Sequence, residues 1–379
     1  MFSFLLVIIY LAFISLGLPD ALLGSAWPVM YTQFGAKITD AGTISMIISA
    51  MTIISSLNAD RVIHRFGTGL VTTVSVGMTA AALFGFSLSR SFLSLCLWSI
   101  PYGLGAGAVD SALNNYVALH YSGRHMSWLH CCWGIGASLG PYVMGYCLSY
   151  HLGWPMGYRI IGGLQILLTT VLFMTLSRWH NTGSDSSVKT NVLSLKEIFA
   201  LPGVKAILTA FLCYCAIETS AGLWASSYLN VSRGIDAEIT VFWASLFYLG
   251  ITAGRALSGF VADYFGDQGM IRIGEGILVT GILLVLLPLS DTLALIGLVV
   301  IGLGCAPIYP SVIHSTPDRF GKENSQSLVG VQMAAAYTGS TLFPKLFGLI
   351  SNITGIGIYP VFLLLIAVIM IVMIEIAHR

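Results

Sequence analysis

Charge is what this chain has least of. Lys, Arg, Asp and Glu make up 9% of its 379 residues, against about 25% in a soluble domain. So few charges do not make a solvated surface. A formal net charge of +1 gives no electrostatic footprint for nucleic acid. A nucleotide-binding loop, a nucleophile–base pair and metal-ligand spacing are also missing, so no enzyme is supported and no cofactor is implied. His130-Cys131-Cys132 comes nearest to a metal cluster, but successive helical residues diverge by about 100° and do not converge on one ion. All seven cysteines lie in apolar stretches and read as small buried hydrophobes, not disulfides. The first apolar run lacks a basic leader and a clear small-residue cleavage site, so it reads as a retained helix. Polar tracts are scarce too, and the one long example runs from Trp179 to Lys196.

What is present is apolar sequence: 56% hydrophobic residues and a mean hydropathy of +0.87. Twelve runs are long enough to cross a bilayer as helices: 3–31, 40–58, 68–88, 92–119, 125–150, 157–178, 203–230, 238–261, 269–289, 292–315, 325–350 and 356–377. The expected fold is an all-α membrane protein of twelve transmembrane helices. It divides into a six-helix half at 1–178, a linker at 179–202 and a second half at 203–379. With both termini and the linker in the cytoplasm, eleven Lys and Arg lie inside and four outside, with Arg255 and Lys345 in or near spans. That asymmetry sets the orientation. The halves repeat at an offset of 199 residues: Phe66-Gly67 falls on Phe265-Gly266, Gly77 on Gly276, Gly103-Leu104-Gly105 on Gly302-Leu303-Gly304, and Gly140 on Gly339. Parallel six-helix repeats are a mark of secondary transporters, whose site lies at the repeat interface.

One stretch concentrates the chemistry. Gly103, Gly107, Asp110 and Asn114 share a helical face. Glycines admit a neighbouring helix, and a carboxylate inside a span is costly enough to mark function. The competing reading is that the glycines only pack and Asp110 bonds a neighbour. Asp20 and Glu218 lie near mid-span, 198 residues apart in sequence and so nearly repeat-equivalent. Buried carboxyls resist ionisation, which suits proton carriage; a fixed hydrogen bond to a neighbouring helix is the alternative for each. His130 starts the fifth span, at a depth where Asp110 could favour its imidazolium, and a backbone-bonded His is the alternative. Trp128 reads as an interfacial anchor. Tyr309 matches Asp110 by the offset, between Pro307 and Pro310, which interrupt the helix ladder. Asn114, Asn115, Gln332, Tyr309, Trp133, Trp224 and Tyr228, with Glu218, suit a small neutral polyol: amides pair with hydroxyls and aromatic faces cover C–H surfaces. An anionic substrate would call for an arginine clamp, and no mid-span arginine pair is evident.

Gly259-Phe-Val-Ala-Asp263-Tyr-Phe-Gly266 resembles the signature loop of the major facilitator superfamily. There glycine allows close packing and aspartate ties helix ends together as a conformational latch; Arg255, two turns earlier, is assigned to the same tie. In the first half, Asp60 takes the glycine position and His64 the aspartate position, so that latch is degenerate. Gly103 to Asn115, Leu129-His130, Trp133-Gly-Ile-Gly, Gly140-Pro141 and Tyr214 to Tyr228 resemble the fucose permease branch, which includes proton-coupled and sodium-dependent sugar transporters. The resemblance covers essentially the whole chain. It implies a monomeric, multi-pass symporter of the cytoplasmic membrane that imports a small neutral sugar by alternating access. The coupling ion is a proton, with sodium as the alternative. Asp110 stands where fucose permease has a coupling glutamate, so the resemblance implies that role for Asp110; Asp20 and His130 are assigned to protons on the residue reading above. The alternatives are proton-driven efflux of a toxic metabolite or drug, and a non-transporting sensor on the same fold.

The topology has a direct test. A cysteine at Ser184, with native cysteines removed, is expected to stay unlabelled by a membrane-impermeant thiol reagent in intact cells. Ready labelling would reverse the orientation.

Overall fold

The computed structural model describes residues 4–179, 192–287 and 290–378. Most of the linker, 180–191 with Ser184 and Lys189, lies outside the described residues, as does Arg379. Among the described residues the chain is helical and no strand forms. Twelve membrane helices follow in order. They are α1 (Phe4–Gln33), α2 (Ala41–Phe66), α3 (Thr68–Leu88), α4 (Phe92–His120), α5 (Gly123–Ser149) and α6 (Trp154–Met174). After them come α7 (Val204–Arg233), the stretch Ala237–Leu286 that forms α8 and α9, α10 (Asp291–His314), α11 (Ser325–Thr354) and α12 (Tyr359–His378).

Glycine sets the helix boundaries that the repeat shares. Gly266, at φ 65° and ψ 170°, divides Ala237–Leu286 into α8 (237–265) and α9 (267–286). Gly67, at φ 79° and ψ 154°, divides α2 from α3, 199 residues earlier. A side chain disfavours that φ, so the residues that match in sequence match in backbone shape. Helix α1 is not continuous. Its helical stretches are Phe4–Gly17 and Leu22–Gln33, and Pro19, which has no N–H to extend the ladder, lies in the turn between them. In α10, by contrast, Pro307 and Pro310 interrupt the ladder without ending the helix. Among the described residues, nine spans are long and apolar enough to cross a membrane, with Ser245–Leu286 counted once. Helices α5 and α11 fall short of that apolarity, and they are repeat mates that carry polar faces.

The helices cluster into two compact units. One holds Met1–Tyr116, Leu129–Val192 and Gly321–Ala334; the other holds Val117–Trp128, Leu193–Phe320 and Ala335–Arg379.

In the first unit, helix association cannot rely on exclusion of water, because lipid tails are as apolar as leucine. Close packing and hydrogen bonds replace it. Gln165 on α6 accepts from Thr79 of α3 at 2.8 Å and donates to the Ser15 carbonyl of α1 at 2.9 Å. An aromatic layer of Phe86, Tyr102 and Tyr158 joins α3, α4 and α6. The glycine face of α4 lies on α2, whose hydroxyls Thr52, Ser55 and Ser56 donate to the carbonyls of Gly103, Leu104 and Gly107. In the second unit α9 packs on α10 through Gly274, Gly281, Gly297 and Gly304. Tyr359 of α12 donates to the Ala221 carbonyl of α7 at 3.0 Å.

A Cβ on Gly107 would stand 3.0 Å from Thr52 Cα, whereas one on Gly276 meets nothing within 4 Å. Gly107→Val is therefore expected to cost about 1–3 kcal/mol by overpacking, lowering the melting temperature of the purified protein. Gly276→Val should leave it near the parent value. Equal behaviour of the two variants would contradict this packing.

Candidate functional site

The first unit carries a line of polar groups through α1, α4 and α5. Asp110 and Asn114 lie one turn apart on α4 and are both buried. The Asn114 amide nitrogen donates to the Asp110 backbone carbonyl at 3.0 Å and to Asp110 Oδ1 at 2.8 Å. A backbone carbonyl only accepts, so this contact fixes which way the amide points. Its oxygen then faces His130 Nε2 at 2.9 Å, and that nitrogen carries the hydrogen. The sequence expectation put Asp110 beside His130; the structure sets Asn114 between them.

Helix α5 continues the line. His130 and Trp133 are three residues apart and share a face. Trp133 Nε1 donates to Asp20 Oδ2 at 2.9 Å, and the Tyr102 hydroxyl donates to Asp20 Oδ1 at 3.2 Å. Asp20 sits in the turn that interrupts α1 and is exposed. Phe13, two turns earlier, meets His130 edge-on at 5.4 Å between ring centroids. The helices come this close because they lack side chains at the contact: a Cβ on Gly17 would stand 2.8 Å from Ala137 N, and one on Gly136 would meet the Ile14 carbonyl.

Two further contacts of this unit involve the start of α11. Asn115 was expected beside a substrate. Its amide donates to Gln326 Oε1 at 2.8 Å and accepts from Ser325 at 2.5 Å. Asn115 follows Asn114 by about 100° around the helix, which turns it to α11. Asp60, at the degenerate first-half loop, accepts from the Ser327 hydroxyl. Gln332 is fully buried.

The second unit has a different cluster. Glu218 Oε2 accepts from the Tyr214 hydroxyl and faces Arg255 Nη2 at 3.4 Å. Tyr309 packs on Phe211 and Tyr214, and the Arg255 guanidinium lies 6.0 Å from its ring centroid. This corrects the latch: Arg255 reaches Glu218, while Asp263 pairs with Arg124 at 2.6 Å. Arg255 and Asp263 are eight residues apart, about 12 Å along the helix and about 80° around it. Gly259 leaves room for Trp128, whose indole a Cβ there would strike. Trp128 donates to the Ala256 carbonyl at 3.3 Å, so it packs against α8. Trp224 donates to the Pro344 carbonyl at 3.0 Å. Tyr228, about 15 Å along α7 from Glu218, bonds the Val285 carbonyl and receives Arg233.

Sequence reasoning passed over Tyr102 as a partner of Asp20. It also passed over Glu275 on α9, which is buried, with Oε1 lacking a hydrogen-bond partner among the described residues. An acid eight residues inside a span was the available signal. A cavity of about 430 Å³ opens beside Gly266, lined by Asp267, Ser315, Arg319 and His378 among others, and includes none of these mid-span acids.

The family model of the Major Facilitator Superfamily matches residues 9–344 and 242–377. The chain belongs to this superfamily, and its twelve-helix fold is that of membrane transporters, not of enzymes. It is 22% identical over 384 residues to the Bypass of stop codon protein 6 of Saccharomyces cerevisiae, covering 92% of this chain and 77% of that one. It is 22% identical over 312 residues to the glucose/mannose transporter GlcP of Bacillus subtilis, covering 79% and 77%. The transporter FucP in its outward conformation superimposes with a TM-score of 0.82 at 14% identity, covering 99% and 98%. A second FucP structure, described as the E. coli fucose:proton symporter, gives 0.78 at 15% identity, covering 99% and 97%.

The Arg124 and Asp263 side chains are 49% and 37% exposed, so solvent screens their attraction. A double-mutant cycle of Arg124→Gln and Asp263→Asn is expected to give a coupling below about 1 kcal/mol in stability. A coupling several times larger would show the pair to be shielded.

Proposed function

We propose that the chain is a secondary active transporter that carries a small hydroxyl-rich solute, a sugar or sugar derivative, together with protons by alternating access. The observation that carries this reading is the Asp110–Asn114–His130 line, with Trp133 and Asp20 continuing it. Asn114 donates to Asp110 whether the carboxyl is ionised or neutral, because either form keeps an acceptor oxygen. It accepts from His130 Nε2 whether or not the other ring nitrogen is protonated. A site whose hydrogen bonds survive both protonation states takes up and releases a proton without rebuilding its surroundings. Asp110 is therefore the coupling residue, Asn114 and His130 hold it, and exposed Asp20 is the entry for protons and solute hydroxyls.

Taken by itself, the first unit offers a solute Asp20 and Trp133; the second, taken by itself, offers Glu218, Trp224 and Tyr309. Asn114 is fully buried and acts behind them. A neutral sugar was expected because no mid-span arginine pair was evident and Arg255 was assigned to the loop. Arg255 beside Glu218 removes that ground and leaves the hydroxyl-rich character standing. The protein's place in this reading is the cytoplasmic membrane, with the termini and the 179–202 linker on the cytoplasmic side of halves 1–178 and 203–379. GlcP and FucP, with sugars in their descriptions, lend support at low identity.

Asp110→Asn tests the coupling. It keeps size and hydrogen bonding but cannot titrate. Substrate exchange needs only the loaded, protonated carrier, whereas uphill uptake also needs the empty carrier to return deprotonated. In proteoliposomes the variant is expected to lose proton-driven accumulation and retain appreciable counterflow. Asp110→Ala should lose more of both. Near-normal accumulation by Asp110→Asn would return the residue to a packing role.

A further inference from the structure

Tyr214 has one hydroxyl hydrogen and two acceptors within reach. Its oxygen bonds Glu218 Oε2 and lies 2.9 Å from the Cys305 carbonyl. The carbonyl only accepts. Tyr214 satisfies both neighbours at once only when a protonated Glu218 donates to it, because the hydroxyl then has its hydrogen left for Cys305. With Glu218 ionised, Tyr214 donates to Oε2, the same oxygen that faces Arg255. The two arrangements differ by one proton and one charge. Ionised, Glu218 neutralises Arg255; protonated, it no longer does.

The ion pair is a displaceable one. Its 3.4 Å separation exceeds the roughly 2.7–2.9 Å of a strong charge-assisted hydrogen bond, and Tyr214 competes for the oxygen it uses. Glu218 is also the more accessible member, at 19% side-chain exposure against 3% for Arg255. Among the described residues, Cys215 on α7, Tyr248 on α8 and Cys305 on α10 are further titratable groups near Glu218, and none of these three is a cation.

We infer that the substrate carries a carboxylate of its own, which replaces ionised Glu218 as the partner of Arg255 while Glu218 takes up a proton. This rests on the transporter reading above and narrows its solute to a monocarboxylated sugar, an aldonic or uronic acid. The charges balance. Before binding, Glu218 is negative and Arg255 positive. Afterwards one proton from water sits on Glu218 Oε2, the substrate carboxylate faces Arg255, and the site is again neutral. The buried guanidinium keeps a counter-charge throughout, which avoids the large cost of an unpaired buried ion. The planar fork of arginine suits a carboxylate better than a hydroxyl.

The test uses purified, reconstituted protein and matched probes, glucose with gluconate and galactose with galactonate. Thermal shift and titration are followed from acid to alkaline pH. Both are measured in an Asp110→Asn background, which leaves Glu218 as the coupling acid that still titrates. There one aldonate is expected to bind more tightly than its neutral sugar and to weaken by about tenfold per pH unit on the alkaline side, the slope of one linked proton. Adding Glu218→Gln should abolish that slope and bind the aldonate at alkaline pH as tightly as the Asp110→Asn protein does at acid pH. The Glu218→Gln/Arg255→Gln double variant removes both charges together, so no lone ion is left buried. It should lose about tenfold or more of aldonate affinity, the contribution of a charge-assisted bond. A neutral sugar that binds while its aldonate does not, or an aldonate whose slope survives Glu218→Gln, would overturn this inference and leave the transporter reading intact. If no probe of either kind binds, the sugar-class reading falls and this inference with it.

Discussion

A carboxylate inside a membrane helix needs hydrogen-bond donors, a cation or a proton, because the hydrocarbon around it supplies none. The interior of this protein is arranged around several answers to that requirement. Asp110 takes the amide of Asn114. Asp20 takes an indole and a phenol. Glu218 takes a phenol and a guanidinium, and Asp60 takes a serine hydroxyl. Each answer sets a different chemistry. Neutral donors leave the carboxyl free to change protonation without disturbing another charge, whereas the guanidinium ties any change at Glu218 to the charge of Arg255.

Those partners are within reach only because the helices approach closely. Gly17 and Gly136 bring α1 against α5, which sets Trp133 on Asp20 and Phe13 on His130. Gly103 and Gly107 bring α4 onto α2, whose hydroxyls take up the α4 carbonyls. Packing and polar chemistry are thus the same feature seen at two scales. The small residues that replace hydrophobic driving force in lipid are also those that place the acids and their donors.

Much of this was legible in the residues. The Gly103–Asn114 column is periodic, so helical geometry alone put Asp110 and Asn114 on one face. The repeat offset predicted paired helix boundaries, and Gly67 and Gly266 share a backbone conformation that glycine favours. What was not legible depended on tertiary placement. Arg255 was assigned to Asp263 by nearness in sequence, yet helical rotation turns it to Glu218 on another helix. Asn115 looked equivalent to Asn114 until one residue of rotation sent it to α11. Tyr102, a tyrosine in an apolar run, gives no sign of its carboxylate partner until α1 is seen to be interrupted at Asp20.

The central claim is that Asp110 changes protonation inside the membrane, held by Asn114 and His130. Infrared difference spectroscopy of the reconstituted protein tests it most directly, by following the carbonyl stretch of neutral carboxyl groups as pH is varied. The account predicts a titrating band in the parent that is absent from Asp110→Asn and shifted in frequency by Asn114→Ala. An unchanged set of titrating carboxyl bands in Asp110→Asn would contradict it.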